Sequence, residues 1–412
     1  MSRRILLVAY FYPPCHDTGA LRPAAMAKWL RRLGHEVTVL TTSAYGPSDE
    51  PGVVQSADAQ LWRARLRGAE RIDALYDADT YRGQAHPLSR VIVPEPLALA
   101  WAPFARRRAL RLAREGRFDC VITSSPPESA HWVGAALSRR GIAWVADLRD
   151  GWTFEPLRPR FPTEVQRRLD ERLERRRLGA ADEVVCVSEP AAADLHRRRI
   201  AEPRLIPNGW DPEQAPAGDL AATGLLDPDR TSLVYTGRFG SYGRDPGPLI
   251  DALSRLARED PEAAARLELV VAGPLTDAEA ELLATDVSPA QIALVGSLER
   301  GRALALQREA DALLLIAQPS RSQLLNIKLF EYLAAGRPIL ALAAGTEAGR
   351  IVEETGGDTV RADDRAAIAA ALGRLAKGEL QSPAADALAP YVYPAPAERM
   401  AEVIEEAIRR RR

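Results

Sequence analysis

The chain has 412 residues, 46% hydrophobic and 27% charged, with 55 Lys+Arg against 56 Asp+Glu for a net charge of −1. That length suits two domains of roughly 200 residues each, and the balance excludes disordered, fibrous and strongly nucleic-acid-binding classes. Cys15, Cys120 and Cys186 are an odd set with no close pair, which speaks against a disulfide framework or a thiolate zinc site and for a reducing compartment.

The apolar run at 5–11 follows two arginines and precedes Pro13-Pro14. It is too short for a signal peptide, lacks a small-residue cleavage site and reads as a first strand. Further buried strands are predicted at 37–41, 120–123, 143–146 and 183–187, with helices at 20–33, 102–115, 128–139 and 163–179. After a boundary in 203–229, strands at 233–236, 267–272, 292–295, 312–316 and 339–342 repeat the pattern. Helices at 246–258, 276–285, 300–309, 326–335 and 365–376 accompany them, and a last helix runs from about 396 to the four closing arginines. The segment 45–100 is irregular. This alternation of strand and helix predicts an α/β protein with two parallel, doubly wound sheets, each covered on both faces. Two such domains facing each other would form a cleft at the C-terminal edges of their strands, where these folds bind ligands. No run approaches the ~20 apolar residues of a membrane span.

Charge divides unevenly. Residues 1–200 carry 32 Lys+Arg against 24 Asp+Glu (+8), and residues 201–412 carry 23 against 32 (−9). Different partners for the two halves, an anionic membrane surface for the first among them, would follow; the alternative is that the halves balance each other. The segment with Trp101, Phe104, Arg106, Arg107, Arg108, Arg111 and Arg114 joins apolar anchors to cations and reads as a lipid-surface segment or as a solvated arginine-rich helix.

The stretch from Asn326 to Leu340 concentrates the most chemistry. Leu329, Phe330, Leu333 and Ala334 recur at helical spacing, Gly336 and Pro338 end the helix, and an apolar strand follows. Lys328 and Glu331 are three apart near the helix start. The cation, free backbone N–H groups and the positive end of the helix dipole suit a phosphate, and the carboxylate suits a pair of ribose hydroxyls. An ordinary surface Lys–Glu pair is the alternative.

Three loops at predicted strand ends add candidates. Gly19, near a helix start after the first strand, lets backbone approach a ligand or simply makes a turn. Asp147-Leu148-Arg149-Asp150 follows the strand at 143–146; Asp150 suits a sugar hydroxyl and Arg149 developing negative charge, or the two hold the loop as a salt bridge. In the glycine-rich loop from Gly237 to Arg244, Arg238 and Arg244 are spaced to fork a diphosphate, with a solvated turn as the alternative. The Gly-x-Gly-x-x-Gly dinucleotide fingerprint is absent. Asp77-Ala78-Asp79 would pass as a metal-binding Asp-x-Asp but lies in the irregular segment, and no histidine cluster has metal-ligand spacing.

Taken together, Tyr12-Pro13-Pro14 with Gly19, the segment from Gly34 to Thr41, Val187-Ser188-Glu189, Ile206-Pro207-Asn208-Gly209, Gly237-Arg238, Ala272-Gly273, Val295-Gly296 and the run from Lys328 to Pro338 resemble the retaining glycosyltransferases of family 4, which have the GT-B fold. The order and spacing of these pieces cover nearly the whole chain. The resemblance implies an acceptor-side domain over residues 1–210 and a nucleotide-sugar domain over 211–395, with the helix at 396–412 returning to the first. It implies that Glu331 holds the ribose hydroxyls, that Arg238 binds phosphate with Arg244 where the family usually has lysine, and that Gly19 lets the first domain approach the donor. Backbone N–H groups of Leu324 and Leu325 would meet the diphosphate.

Two positions depart from the family. Gln323 stands where a first glutamate usually contacts the donor sugar, and Arg149 replaces a frequent histidine at the end of the fourth strand. His131 is the alternative there, with packing on a helix face as its ordinary role. The expected reaction is a metal-independent, retaining transfer from a nucleoside diphosphate sugar to a hydroxyl acceptor, lipid-linked or part of a cell-surface glycan, with no cofactor and no nucleic acid. The expected place is the cytoplasm, at the inner face of the cell membrane. A sugar-nucleotide 2-epimerase and a weakly catalytic, nucleotide-sugar-binding recruiting subunit are the alternatives.

Overall fold

The computed structural model describes residues 2–66, 68–72, 91–154, 161–214, 223–240, 244–318, 325 and 327–412. The chain divides into two compact units, Met1–Gly209 with Tyr393–Arg412, and Trp210–Val392.

The first unit holds seven parallel strands: β1 (Arg4–Ala9), β2 (Glu36–Thr42), β3 (Val53–Ser56), β4 (Cys120–Ser125), β5 (Ala143–Leu148), β6 (Glu183–Cys186) and β7 (Arg204–Leu205), in the order β3-β2-β1-β4-β5-β6-β7. Seven of its helices are α1 (Leu21–Arg32), α2 (Ala59–Arg65), α3 (Leu97–Ala100), α4 (Ala102–Glu115), α5 (His131–Ser138), α6 (Glu164–Leu178) and α7 (Glu189–Arg197). The second unit repeats the winding with β8 (Thr231–Thr236), β9 (Leu267–Ala272), β10 (Gln291–Gly296), β11 (Ala312–Ile316), β12 (Ile339–Leu342) and β13 (Asp358–Val360), in the order β10-β9-β8-β11-β12-β13. Its helices are α8 (Gly247–Glu259), α9 (Pro261–Ala265), α10 (Asp277–Leu283), α11 (Arg300–Glu309), α12 (Ile327–Ala335), α13 (Glu347–Glu354), α14 (Arg365–Ala376) and α15 (Ala385–Leu388). The closing helix α16 (Ala395–Arg411) belongs to the first unit.

Each sheet is covered on both faces, which is why most of its inner strands centre on short hydrophobic runs. Successive side chains alternate between faces: Leu6 and Val8 enter one core layer of the first unit, Ile5 and Leu7 the other. In the second unit Leu233 and Tyr235 lie on one side of the sheet and Val234 on the other. α16 adds Ala397, Met400, Ile404 and Ala407 to the layer that holds Ile5 and Leu7, and Arg3 pairs with its Glu405 at 2.6 Å.

In both sheets the strand order reverses beside the first strand, at β1/β4 and at β8/β11. Loops leaving those neighbours diverge, and the C-terminal edge there is where doubly wound sheets take ligands. Gly19 follows β1, Arg149 and Asp150 follow β5, and the loop from Gly237 follows β8.

The irregular segment at 45–100 contains β3, α2 and α3, whose shortness hid them; Asp77 and Asp79 lie outside the described residues. One expectation is corrected: Trp101 is no surface anchor, being fully buried with its indole donating to Ser56 Oγ at 3.0 Å. Among the described residues no helix is long and apolar enough to cross a membrane.

Candidate active site

In the second unit, β8 ends in Tyr235-Thr236 and the chain turns at Gly237, whose φ of +111° suits glycine. A Cβ at Gly237 would stand 2.5 Å from Lys328 Cε and closer still to Nζ, so the bare backbone is what admits the lysine. Lys328 is the second residue of α12, and its ammonium stands 4.9 Å from the centroid of the Tyr235 ring. Gly273, just past β9, is equally constrained: a Cβ there would lie 2.9 Å from Gly237 Cα and overlap its carbonyl. Two glycines thus pack two strand ends backbone to backbone and leave one cation against them.

Tyr235 organises the loop that follows. It is buried, stacks on Phe239 at 4.1 Å and donates its hydroxyl to the Arg238 carbonyl at 2.7 Å. Burial raises the phenol's pKa well above its ordinary value, so it stays a donor. Arg244 Nη1 reaches the same carbonyl at 3.0 Å, and Gly240 N–H is held by Glu279 at 2.6 Å. The two arginines expected to fork a diphosphate are therefore joined through one backbone group. α12 is fixed to the strand end as well: Tyr332 accepts from Thr236 N–H at 3.1 Å, and Gln307 of α11 donates to Thr236 Oγ1 at 3.0 Å.

Glu331, one turn beyond Lys328, pairs with Arg300 Nη2 at 2.9 Å. That pair fixes the orientation of its carboxylate. The arrangement offers fixed cations, a helix N-terminus and a carboxylate within one turn of helix, a set complementary to a nucleoside diphosphate. Leu325 is half-buried against the core layer that holds Lys328's neighbours Leu329 and Phe330; Gln323 and Leu324 lie outside the described residues.

In the first unit the structure brings Gly19 and Arg149 together across 130 residues of chain. Arg149 donates to the carbonyls of Gly19, Ser125 at 3.3 Å and Pro126 at 3.2 Å. A Cβ at Gly19 would stand 2.6 Å from its Nη1. Three of the five guanidinium donors are thus committed to backbone, which makes Arg149 a positioning residue for the Gly19 turn; Asp17 also accepts from Gly19 N–H at 2.7 Å. Asp150 is solvent-exposed beside it.

Behind this turn lies an ion pair that the sequence did not single out. Arg22 is buried and binds Asp147 through two nitrogens at 2.8 and 3.2 Å, with a third donor on the Pro207 carbonyl at 3.0 Å. Burial lowers the Arg22 pKa and Asp147 more than restores it. His131 is a core residue, fully buried, 2.8 Å from Thr123 and stacked on Trp152. Burial lowers its pKa to about 4, so it is neutral at pH 7. Tyr235, Arg300 and Arg22 were legible only as strand or helix residues, and Gly273 only as part of the family pattern. Among the described residues no three His, Cys, Asp or Glu side chains are grouped as a metal site would need.

Residues 24–214 match the model of Glycosyltransferase Family 4, and residues 230–378 match that of Glycosyl transferases group 1. The chain is 30% identical over 416 residues to the D-inositol 3-phosphate glycosyltransferase of Salinispora tropica, covering 91% of this chain and 78% of that one. A shorter match, to the protein of that name from Stackebrandtia nassauensis, is 28% identical and spans 53% of this chain and about half of the relative, 52%. Among solved structures, a sucrose-phosphate synthase from Thermosynechococcus elongatus superposes with a TM-score of 0.60 at 19% identity, over 98% of both chains, and shares the fold. The protein is a glycosyltransferase with the GT-B fold, and its chain belongs to family 4 of those enzymes.

Proposed function

We propose that the protein moves a sugar, with retention of anomeric configuration and without a metal ion, from a nucleoside diphosphate sugar to a hydroxyl of a lipid-linked or cell-surface glycan precursor. The observation that carries the donor class is the cradle at the end of β8: Gly237, whose missing side chain admits Lys328, packed backbone to backbone on Gly273, with Arg238 and Arg244 joined in the same loop.

As the bond between the sugar C1 and the phosphate oxygen breaks, charge grows on the leaving diphosphate. Lys328 and the N-terminus of α12, with the arginines of the loop after β8, would meet it as groups oriented beforehand, which is where such sites gain most. The acceptor oxygen bonds to C1 on the same face, and its proton passes late to the departing phosphate oxygen. No covalent nucleophile on the protein is required. Glu331 accepts from the ribose hydroxyls, Asp150 from a sugar hydroxyl, and Arg149 keeps the Gly19 backbone in place. From the resemblance, Gln323 faces the donor sugar and the N–H groups of Leu324 and Leu325 meet the diphosphate. The enzyme works in the cytoplasm, at the inner membrane face when its acceptor is lipid-linked; a phosphorylated cyclic polyol, as in the relatives' name, is the soluble acceptor to compare.

Calorimetric titration with uridine, guanosine and adenosine diphosphate sugars tests the donor reading. Glu331→Ala is expected to weaken the bound donor by at least about 10- to 150-fold, the worth of one hydrogen bond to a carboxylate; unchanged affinity would refute the assignment. Acceptor-dependent release of nucleoside diphosphate separates transfer from 2-epimerisation, and binding of no donor would leave only a recruiting role.

A further inference from the structure

The first unit exposes large apolar side chains beside two helices whose charged residues are almost all arginine. On α2, Trp62 is 54% exposed, and Leu66, four residues on and just past the helix, is 88% exposed. The Trp62 ring meets Phe104 of α4 edge-on, with centroids 5.7 Å apart, so α2 and α4 present one surface. Leu99, in the short helix leading into α4, is 63% exposed. Arg63 and Arg65 on α2, and Arg106, Arg107, Arg111 and Arg114 on α4, are solvent-exposed. With Arg108 the two helices carry seven arginines against Glu115 alone, a surplus of six positive charges.

From this we infer that the α2–α4 surface docks on an anionic phospholipid bilayer. Trp62 and Leu66 enter the interfacial layer and the arginines meet lipid phosphates. The proposal deepens the membrane contact included in the proposed function, but it stands on observations outside the donor site. Three features favour a lipid surface. An exposed tryptophan beside an exposed leucine suits the boundary between headgroups and acyl chains. The cations extend along a fourteen-residue helix, about 21 Å, and point around it, which fits a continuous field of mobile phosphates better than a few fixed carboxylates. Neither helix carries an acidic residue until Glu115, at the far end of α4. The apolar anchors are therefore Trp62 and Leu66, in place of the buried Trp101.

The test is flotation of the full-length protein with vesicles of phosphatidylcholine alone and of phosphatidylcholine with phosphatidylglycerol. Wild type is expected to float with the anionic vesicles only, and less as salt rises. Arg106→Ala/Arg107→Ala/Arg111→Ala should weaken partitioning on the order of 100-fold, at about fivefold for each arginine near the surface. Trp62→Ser/Leu66→Ser should also release the protein. Brominated lipids should quench wild-type tryptophan emission more than that of Trp62→Phe. Nucleoside diphosphate affinity, measured on every variant, should stay at the wild-type value; this keeps a failure of docking distinct from a failure of the donor assignment. Equal flotation of wild type and variants overturns the proposal. So does a wild type that ignores anionic vesicles, which would turn this surface toward an acidic protein partner.

Discussion

A methyl group added at Gly237 would stand 2.5 Å from Lys328 Cε and closer to its ammonium, so Gly237→Ala must expel the lysine from the end of β8. Two costs separate cleanly. The first is backbone strain: at φ +111° a side chain costs about 1–2 kcal/mol, which in a domain of this size lowers Tm by roughly 2–8 °C. The second appears only with ligand bound. If Lys328 makes a charge-assisted bond to the diphosphate, its removal costs about 1.5–3 kcal/mol, or about 10- to 150-fold in Kd. Gly378 supplies the control, since it has φ +72° with nothing within 4 Å of a Cβ; Gly378→Ala should lose stability without losing nucleotide. Calorimetry with nucleoside diphosphates on Gly237→Ala, Lys328→Ala and the double variant gives the decisive cycle. The double variant should bind no more weakly than Lys328→Ala alone, because both changes remove the same interaction. A folded Gly237→Ala protein with wild-type affinity would refute the reasoning.

Arg22→Ala should destabilise the first unit by about 3–5 kcal/mol, because Asp147 is left charged and buried; urea unfolding measures it, and Asp147→Ala added to it should recover part of the loss. His131 gives a pH signature. Its folded pKa is lowered to about 4 from an ordinary value of about 6.5, so below 6.5 the unfolded chain takes a proton that the fold refuses. Stability present above that pH is then lost down to about 4, by roughly 3 kcal/mol; His131→Gln should flatten that window, and identical slopes in the two proteins would count against it. Transfer activity should survive EDTA unchanged, whereas loss restored by a divalent ion would overturn the metal-independent mechanism.

Most strands were legible in the sequence because parallel sheets covered on both faces demand apolar runs of four to six residues, and 5–9, 269–272 and 312–316 are such runs. β3, β7 and β13 escaped notice: they are edge strands of two to four residues, partly buried in β3 and β13 and exposed in β7, and therefore under little pressure to be apolar. Of the candidate site, Gly19, Arg149 and Arg238 stood out because charge and glycine at a strand end are local signals, and Lys328 because it opens a helix. Tyr235 read only as a strand residue and Gly273 only as part of the family pattern, since nothing local records which backbone passes within contact of them.

By itself, then, the order of residues determined the α/β class, the two sets of elements and the chemistry present at the strand ends, because periodicity and turn chemistry act within a few residues. Tertiary structure decided which of those groups meet. Arg149 reaches Gly19 across the first sheet's switch point, Arg300 orients Glu331, and Trp101 turns inward while Trp62 stays in solvent. These outcomes depend on long-range packing, in which a methyl group too many at Gly237 would close the space the cation needs and one at Gly273 would overlap the Gly237 backbone.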